Sequence, residues 1–182
     1  VWSRGLGDVY KRQCYNQTDG SYWDTLDSAM NGAFEGDTLL VPESFFGDLD
    51  GLELTLGDLT LQSLGGVTLD AMPDGILLGG DTTLAAAADS AIEIGSALDF
   101  LDGEASTLSG GSVTFGETAA VSIPAGSMLA VESSQALVND GAITLLDGLL
   151  IAQSAKAFGS LCHPVPAMHS EDEVCLALSL IH

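Results

Sequence analysis

Short runs in which apolar and polar residues alternate recur through the middle of the chain. The runs are Leu52–Leu56, Val67–Asp70, Ile92–Ile94, Val113–Phe115, Val121–Ile123 and Ile143–Leu145. Alternation with a period of two places one set of side chains on the inside of a β-sheet and the other set on the outside. Gly, Asp, Ser or Pro interrupts the runs at short intervals, so the pattern predicts short strands separated by tight turns.

These strands belong to a repeat of 23 residues. The blocks Leu52–Asp74, Gly75–Ala97, Leu98–Ala120 and Val121–Ile143 align without a gap. The third column contains Leu54, Leu77, Phe100 and Ile123; the sixth contains Gly57, Gly80, Gly103 and Gly126; the eighteenth contains Leu69, Ile92, Phe115 and Val138. Repetition at a fixed period is typical of proteins built from stacked coils.

Three short strands and three turns account for one block. We therefore predict an all-β fold, a right-handed single-stranded parallel β-helix (solenoid) with about 23 residues per coil and its apolar columns stacked inside. Leucine-rich repeats would carry a helical segment and an asparagine signature that these blocks lack. An antiparallel sandwich has no reason to repeat at a fixed length.

The segment before the repeat predicts a short N-terminal capping helix and then a strand. Asp24 or Thr25 can cap the helix. Its apolar face, by helical spacing, is formed by Leu26, Ala29, Met30 and Ala33. Gly36 and Asp37 then predict a turn into a strand at Thr38–Val41.

Two stretches resemble known β-helical proteins. Residues 22–42 resemble the start of many pectate-lyase-like and adhesin-like β-helices, in which a helix plugs the open core and a Gly-Asp-Thr turn opens the first coil. The run Leu137–Leu145, with Asn139 and Gly141, is similar to runs in bacterial autotransporter passengers and filamentous adhesins. The resemblance implies the fold and does not select a function, because lyases, hydrolases, phage tailspikes and adhesins share it.

Both ends of the chain resemble translated sequencing adapter. Residues 3–13 back-translate, without a break, to an adapter of a common transposase-based library kit, and residues 178–182 back-translate to the reverse complement of its mosaic end. Such fusion scars are excluded from the fold argument. We predict that residues 1–13 and 178–182 are adapter-derived. Between them we expect an N-terminal cap and first coil at 14–50, β-helix repeats at 51–158 and an irregular tail at 159–177.

The charge balance excludes several partners. The chain has 4 basic and 26 acidic residues, and Lys156 is the one basic residue left once the adapter-like ends are set aside. Such a chain cannot neutralise phosphates, so we expect no nucleic-acid partner, and an anionic membrane is equally unfavourable. No apolar run approaches membrane-spanning length, so no membrane span is expected in this fragment. The acidic surface suits a secreted protein, a saline habitat or divalent cations, and the alternative is that it serves solubility alone.

The seventh column of the repeat offers the best candidate site. Asp58, Asp81 and Glu104 are expected on successive rungs, roughly 5 Å apart on one side of the solenoid. Stacked carboxylates repel one another unless a cation bridges them, and Ca²⁺ is the oxygen-seeking cation that would do so. The ladder therefore predicts weak calcium binding, and no other cofactor is expected. The alternative is that the carboxylates splay into water and only keep the face soluble.

Candidate catalytic groups are few. Related lyases would use a basic residue near calcium, and the native part offers only Lys156. A glycoside hydrolase would need a carboxylate pair, for which Asp70 with Glu93 or Asp58 with Asp81 are candidates. Outward aromatic residues for stacking sugars are expected near the start of the chain, where Trp23, Phe45 and Phe46 are candidates unless they pack as a cap. Asn16 begins a glycosylation sequon, Asn16-Gln17-Thr18.

These patterns favour a structural or adhesive β-solenoid segment of a secreted or cell-surface protein, without catalysis in this fragment. Polysaccharide or another cell-surface molecule is the expected partner. The alternative is a fragment of a polysaccharide-active β-helix enzyme, either a lyase or a glycoside hydrolase. A third hypothesis, ice or mineral binding, requires a regular outward threonine array. Thr55, Thr60 and Thr68 are suggestive, but later coils do not continue them.

Overall fold

The computed structural model of the chain describes residues 13–101, 103–154, 157–159 and 177–180. Over these residues the chain forms a parallel β-solenoid of about five turns, with stacked strands about 23 residues apart. The predicted all-β parallel solenoid and its repeat length are therefore confirmed. No helix among the described residues is long and apolar enough to cross a membrane.

The described residues include seventeen strands, most of them two to six residues long. They are β1 (Cys14–Asn16), β2 (Tyr22–Trp23), β3 (Thr38–Val41), β4 (Glu53–Leu54), β5 (Thr60–Ser63), β6 (Val67–Leu69), β7 (Ile76–Leu78), β8 (Thr83–Ala85), β9 (Ala91–Ile94), β10 (Ala97–Phe100), β11 (Ala105–Phe115), β12 (Ala120–Ile123), β13 (Met128–Asn139), β14 (Ala142–Leu145), β15 (Leu149–Ser154), β16 (Ala157–Gly159) and β17 (Ala177–Leu180). A helix α1 (Leu26–Gly32) and a 3₁₀ helix (Glu43–Leu49) lie near the start.

The coils present three faces. Face 1 stacks β3, β5, β8, the start of β11, the start of β13, and β15. Face 2 stacks β6, β9, the end of β11, the end of β13, and β16. Face 3 stacks β4, β7, β10, β12 and β14. All of these ladders are parallel, so each coil donates and accepts backbone hydrogen bonds with its neighbours.

Inward side chains of each face form a continuous core. On face 1 the stacked inward residues, none more than 1% exposed, are Leu39, Leu61, Leu84, Leu108, Val131 and Ala152. Face 2 contributes Val67, Ile92, Val113 and Leu137 in the same way. Burying one such side chain stabilises the fold by about 1.5–3 kcal/mol, so these columns supply most of the cohesion between coils.

Two of the predicted columns are wrong in part. Leu54 pairs with Leu78, which is fully buried, whereas Leu77 lies on the outward side opposite Glu53 and Asp99. Similarly, Leu69 pairs with Ile94 rather than Ile92, and Phe115 pairs with Asn139 rather than Val138. The cause is that single coils differ in length by one or two residues, which the corners absorb, whereas a gapless alignment assumes equal coils.

The corner between faces 1 and 2 is the clearest such irregularity. In the β11–β13 pair, Gly110 opposes Ser133 and Ser112 opposes Ala136, so Gly111 alone faces two residues. This is a β-bulge, which bends the strand and lets it pass from one face to the next. A methyl group on Gly111 would lie 2.8 Å from the carbonyl carbon of Asp89, so only glycine fits there.

The predicted N-terminal cap is confirmed. Helix α1 begins after Thr25, whose hydroxyl oxygen accepts a hydrogen bond from the Ser28 amide at 3.2 Å. Leu26 and Ala29 are fully buried, and Met30 packs against the core. The hairpin of β1 and β2 pairs antiparallel with β3, which covers the edge of the first coil with backbone hydrogen bonds.

Asp37 joins the hairpin to the first coil. Its carboxylate accepts hydrogen bonds from the Phe34 amide at 2.8 Å and from Nδ2 of Asn16 at 2.7 Å. These bonds, the one from Phe34 above all, hold the pKa of Asp37 below its ordinary value although burial opposes them. Asn16 is fully buried in this contact, so its side chain is not accessible in the folded chain.

We expect Gly80→Ala to lower the free energy of unfolding more than Gly103→Ala does. Both glycines have left-handed φ angles, 67° and 85°, where a side chain costs about 1–2 kcal/mol. At Gly80 the added methyl would also lie 2.6 Å from the carbonyl carbon of Leu56, whereas nothing lies within 4 Å at Gly103. Urea unfolding measures both losses. Equal losses would show that the close approach of coils at Gly80 is unimportant.

We expect Asp37→Asn to destabilise the chain at neutral pH by about 1.5–3 kcal/mol, the range for a hydrogen bond to a charged group. Because the folded pKa is lowered, this difference from the wild type is complete above about pH 4, the unfolded pKa of Asp, and disappears as the pH falls through the folded value. Urea unfolding at neutral pH and at a pH below the folded pKa of Asp37 checks this. Asp89→Asn, at an exposed turn, is the control and should change little; an equal effect of the two variants contradicts the assignment.

Candidate functional site

The structure places two of the three residues of the predicted calcium ladder on successive rungs. Asp58 and Asp81 each lie two residues before a paired threonine of face 1, so they occupy successive rungs on an exposed edge. The next step of this ladder pairs Thr83 with Thr107, a spacing of 24 residues. Glu104 is therefore one residue out of step, and Ala105 occupies the rung that follows Asp81.

Asp81 also has a structural partner. Its Oδ1 accepts a hydrogen bond from the Ala105 amide at 2.8 Å, which ties its turn to the next coil. Asp58 and Asp81 both adopt left-handed backbone angles, φ 53° and 57°, which short polar residues tolerate at turns. Among the described residues no group of three or more His, Cys, Asp or Glu side chains is arranged to hold a metal ion. Calcium binding by Asp58, Asp81 and Glu104 stays a prediction.

The strand register also decides which of the suggested catalytic carboxylates lie next to each other. Glu93 pairs with Thr68, and Leu69 pairs with Ile94, so Asp70 continues opposite Gly95 rather than opposite Glu93. The Asp70 carboxylate indeed closes over Gly95, where an added methyl would lie 3.0 Å from its carboxyl carbon. Asp58 and Asp81 remain the pair that occupies neighbouring rungs.

Over its first four strands the outward side of face 1 carries an uncharged surface, which we call the threonine strip and which ends before Glu132 on the next strand. One row consists of Thr38, Thr60, Thr83 and Thr107, and the neighbouring row consists of Leu40, Gln62, Ala85 and Ser109. Because neighbouring strands lie roughly 4.8 Å apart, the four threonines span about 14 Å along the solenoid. All four are half-buried and alternate with buried leucines.

The three threonines suggested from the sequence do not form one outward array. Thr60 belongs to the strip, but Thr68 lies on face 2 and Thr55 lies in the turn after face 3. The signal that identifies the strip is a Thr-Leu pair on face 1 in four successive coils, at spacings of 22, 23 and 24 residues. An alignment with a strict period of 23 residues does not bring these pairs into one column, because their spacing varies.

An open groove lies at the N-terminal end of the strip. We call it the aromatic groove; it has a volume of about 860 Å³, and its lining includes Tyr15, Tyr22, Leu40, Pro42, Glu43 and Leu64. Tyr15 pairs with Leu40 and Tyr22 pairs with Tyr15, so the two tyrosines continue the Leu40 row beyond the first coil. Their ring centroids are 4.7 Å apart with a tilt of 32°.

The aromatic residues proposed from the sequence do not form this groove. Phe46 is fully buried, and Phe45 and Trp23 pack against the core, so these three form part of the cap. Tyr15 and Tyr22 were missed, although the Asp19-Gly20 turn between them could have indicated a hairpin that brings them together. The Gly20 φ of 81° and the bond from the Ser21 amide to Oδ1 of Asp19 fix that turn.

Residues 13–154 offer no basic side chain that could pair with an anionic ligand. Residues 13–154 contain no Lys, Arg or His, whereas they contain most of the 26 acidic residues of the chain. Cys14 is fully buried, and burial, with a smaller contribution from Asp48, raises the pKa of its thiol to about 12, so it is not a nucleophile at neutral pH. Cys162 and Cys175 of the tail lie outside the described residues.

No protein-family model, no curated protein and no solved structure matches the chain. The likeness to pectate-lyase-like and adhesin-like β-helices and the adapter origin of the two ends therefore stay predictions. Function is inferred from the geometry and chemistry of the two surfaces above.

The calcium hypothesis predicts that CaCl₂ raises the melting temperature of the chain above the value in NaCl of matched ionic strength, because a ligand that binds the folded state must stabilise it. Asp81→Asn should then remove the extra rise, while Asp140→Asn, an exposed acid on another face, should retain it. Equal melting temperatures in the two salts would exclude a bridging cation at Asp58, Asp81 and Glu104.

Proposed function

We propose that this chain is an adhesive segment of a secreted or cell-surface protein, and that it contacts polysaccharide surfaces through the threonine strip. One observation carries the proposal. The eight strip positions on four successive rungs are all uncharged in a chain whose net charge is −22. A neutral strip costs little to desolvate, whereas the acidic positions elsewhere keep water and repel other acidic surfaces.

The strip is also rigid. Each threonine is β-branched, which restricts its χ1 angle, and each lies between backbone hydrogen bonds such as the 2.8 Å bond from the Thr83 amide to the Leu59 carbonyl oxygen. Hydroxyl groups at a regular spacing can donate to and accept from the hydroxyls of a polymer without losing side-chain freedom on binding. A repeating, flat surface thus suits a repeating, uncharged ligand.

A second candidate function is action on polysaccharide. The aromatic groove favours it, because it combines aromatic rings with the carboxylate of Glu43. Hydrolysis of a glycosidic bond ordinarily requires two carboxylates, and Glu43 is the one acid among the described residues that line the groove. Release of new reducing ends from a polysaccharide by the full chain, lost in Glu43→Gln, would establish the enzymatic alternative.

The adhesive proposal predicts that Thr83→Glu weakens adsorption of the full chain to insoluble neutral polysaccharide at least about tenfold, or roughly 1.4 kcal/mol. The introduced carboxylate would have to be desolvated at the centre of the contact. Thr144→Glu is the matched control, since Thr144 is a half-buried outward threonine that pairs with Ser122 on face 3. Depletion from solution measures adsorption. Equal adsorption of the two variants would exclude the strip as the contact surface.

A further inference from the structure

The two tyrosines of the aromatic groove form a fixed platform. Tyr15 and Tyr22 lie on paired strands of one hairpin, and the Asn16 amide donates to the Ser21 carbonyl oxygen at 2.9 Å between them. The hairpin is anchored to the first coil through the buried Asn16–Asp37 hydrogen bond. The rings are thus held in place before any ligand arrives, which reduces the entropy lost on binding.

The lining of the groove combines exposed apolar side chains with a few polar groups. Leu64 is 76% exposed and Tyr22 is 50% exposed, which is unusual for such large side chains, while Glu43 supplies a carboxylate and Ser44 a hydroxyl. A ligand that covers the exposed apolar groups must also offer hydrogen-bond donors to Glu43. A pyranose ring meets both conditions, because it has an apolar C–H face and a belt of hydroxyl groups.

Charge selects among saccharides. No Lys, Arg or His occurs between residues 13 and 154, so among the described residues that surround the groove a uronate or sulfated sugar would find no cationic partner and would face Glu43. The groove is also continuous with the Leu40 row of the threonine strip, through the pairing of Tyr15 with Leu40. A chain seated on the tyrosines would therefore extend along the solenoid over an uncharged surface.

We propose that the aromatic groove is a binding site for a neutral oligosaccharide, in which a pyranose ring stacks on Tyr15 and Tyr22 and its hydroxyls donate to Glu43. This inference rests on the proposed adhesive function, and it names the class of glycan and the place where it is held. A groove volume of about 860 Å³ lies within the range of small-molecule sites and accommodates a short oligosaccharide.

Calorimetric titration of the full chain tests the proposal with cellohexaose, mannohexaose and chitohexaose as neutral probes and hexagalacturonate as the acidic probe. We expect binding of at least one neutral probe. Tyr22→Ala should weaken it at least about tenfold, as expected for a central aromatic contact. Tyr22→Phe, which keeps the ring, should stay within about threefold of the wild type. Phe34→Ala, which removes an aromatic residue that is 71% exposed outside the groove, should have no effect.

Three titration results would overturn the inference: no binding of any neutral probe, tighter binding of hexagalacturonate than of the neutral probes, or equal binding by Tyr22→Ala and the wild type.

Sedimentation tests a second copy of the chain as the occupant of the groove. A dimer that Tyr22→Ala dissociates, in a chain that binds no saccharide, would also overturn the inference. The adhesive function fails separately, when Thr83→Glu adsorbs to insoluble polysaccharide as well as Thr144→Glu does. Loss of oligosaccharide binding with intact, strip-dependent adsorption therefore refutes the groove and leaves the function standing.

Discussion

Stacking of each coil on the next by parallel backbone hydrogen bonds is the constraint on which the rest of the molecule depends. A single coil has no partner for its backbone amides and no second layer for its inward side chains, so it is stable only between neighbours. Bonds such as the 2.9 Å contact from the Thr107 amide to the Thr82 carbonyl oxygen fix the register. Once the register is set, Leu61, Leu84 and Leu108 must lie above one another, and so must the outward threonines.

The corners accommodate the differences in coil length that the regular register of the faces does not allow. The inward positions at the corner after face 1 are Val41, Ser63, Ala86, Gly110, Ser133 and Ser154, which after Val41 are all small. Small side chains let the chain turn sharply without opening a cavity. Their hydroxyls bond locally, as in the 2.9 Å contact between Oγ of Ser133 and Oγ of Ser154, so the polar corner is compatible with a buried position. Differences in coil length are absorbed here and at the other turns, while the faces remain regular.

This division explains how much of the fold followed from the sequence. Strand alternation is local, so the inward and outward sets, the repeat and the capping helix were predicted from particular residues such as Leu26, Ala29 and Leu54. Which coil residue stacks on which is decided by corner lengths, and a strict repeat placed Leu77 inside where Leu78 is found. The same difference in coil length sets Glu104 one residue out of step with Asp81, and it conceals the row from Thr38 to Thr107. The aromatic groove could not be predicted from periodicity, because its tyrosines come from a hairpin outside the repeat.

Repetition and its interruption thus make different surfaces. The repeat produces extended rows of one chemical character. Over the first four strands of face 1 that character is neutral, because Asp58 and Asp81 lie at its edge and Glu132 follows only on the next strand. A row of this kind can contact a polymer anywhere along its length but cannot fix where a ligand is seated. The N-terminal cap ends the repeat, and the antiparallel hairpin that shields the edge of β3 also brings Tyr15 and Tyr22 together beside that row. The same pairing that protects the first coil from association with another strand therefore also forms the aromatic groove, and places it in line with the surface that we propose for adhesion.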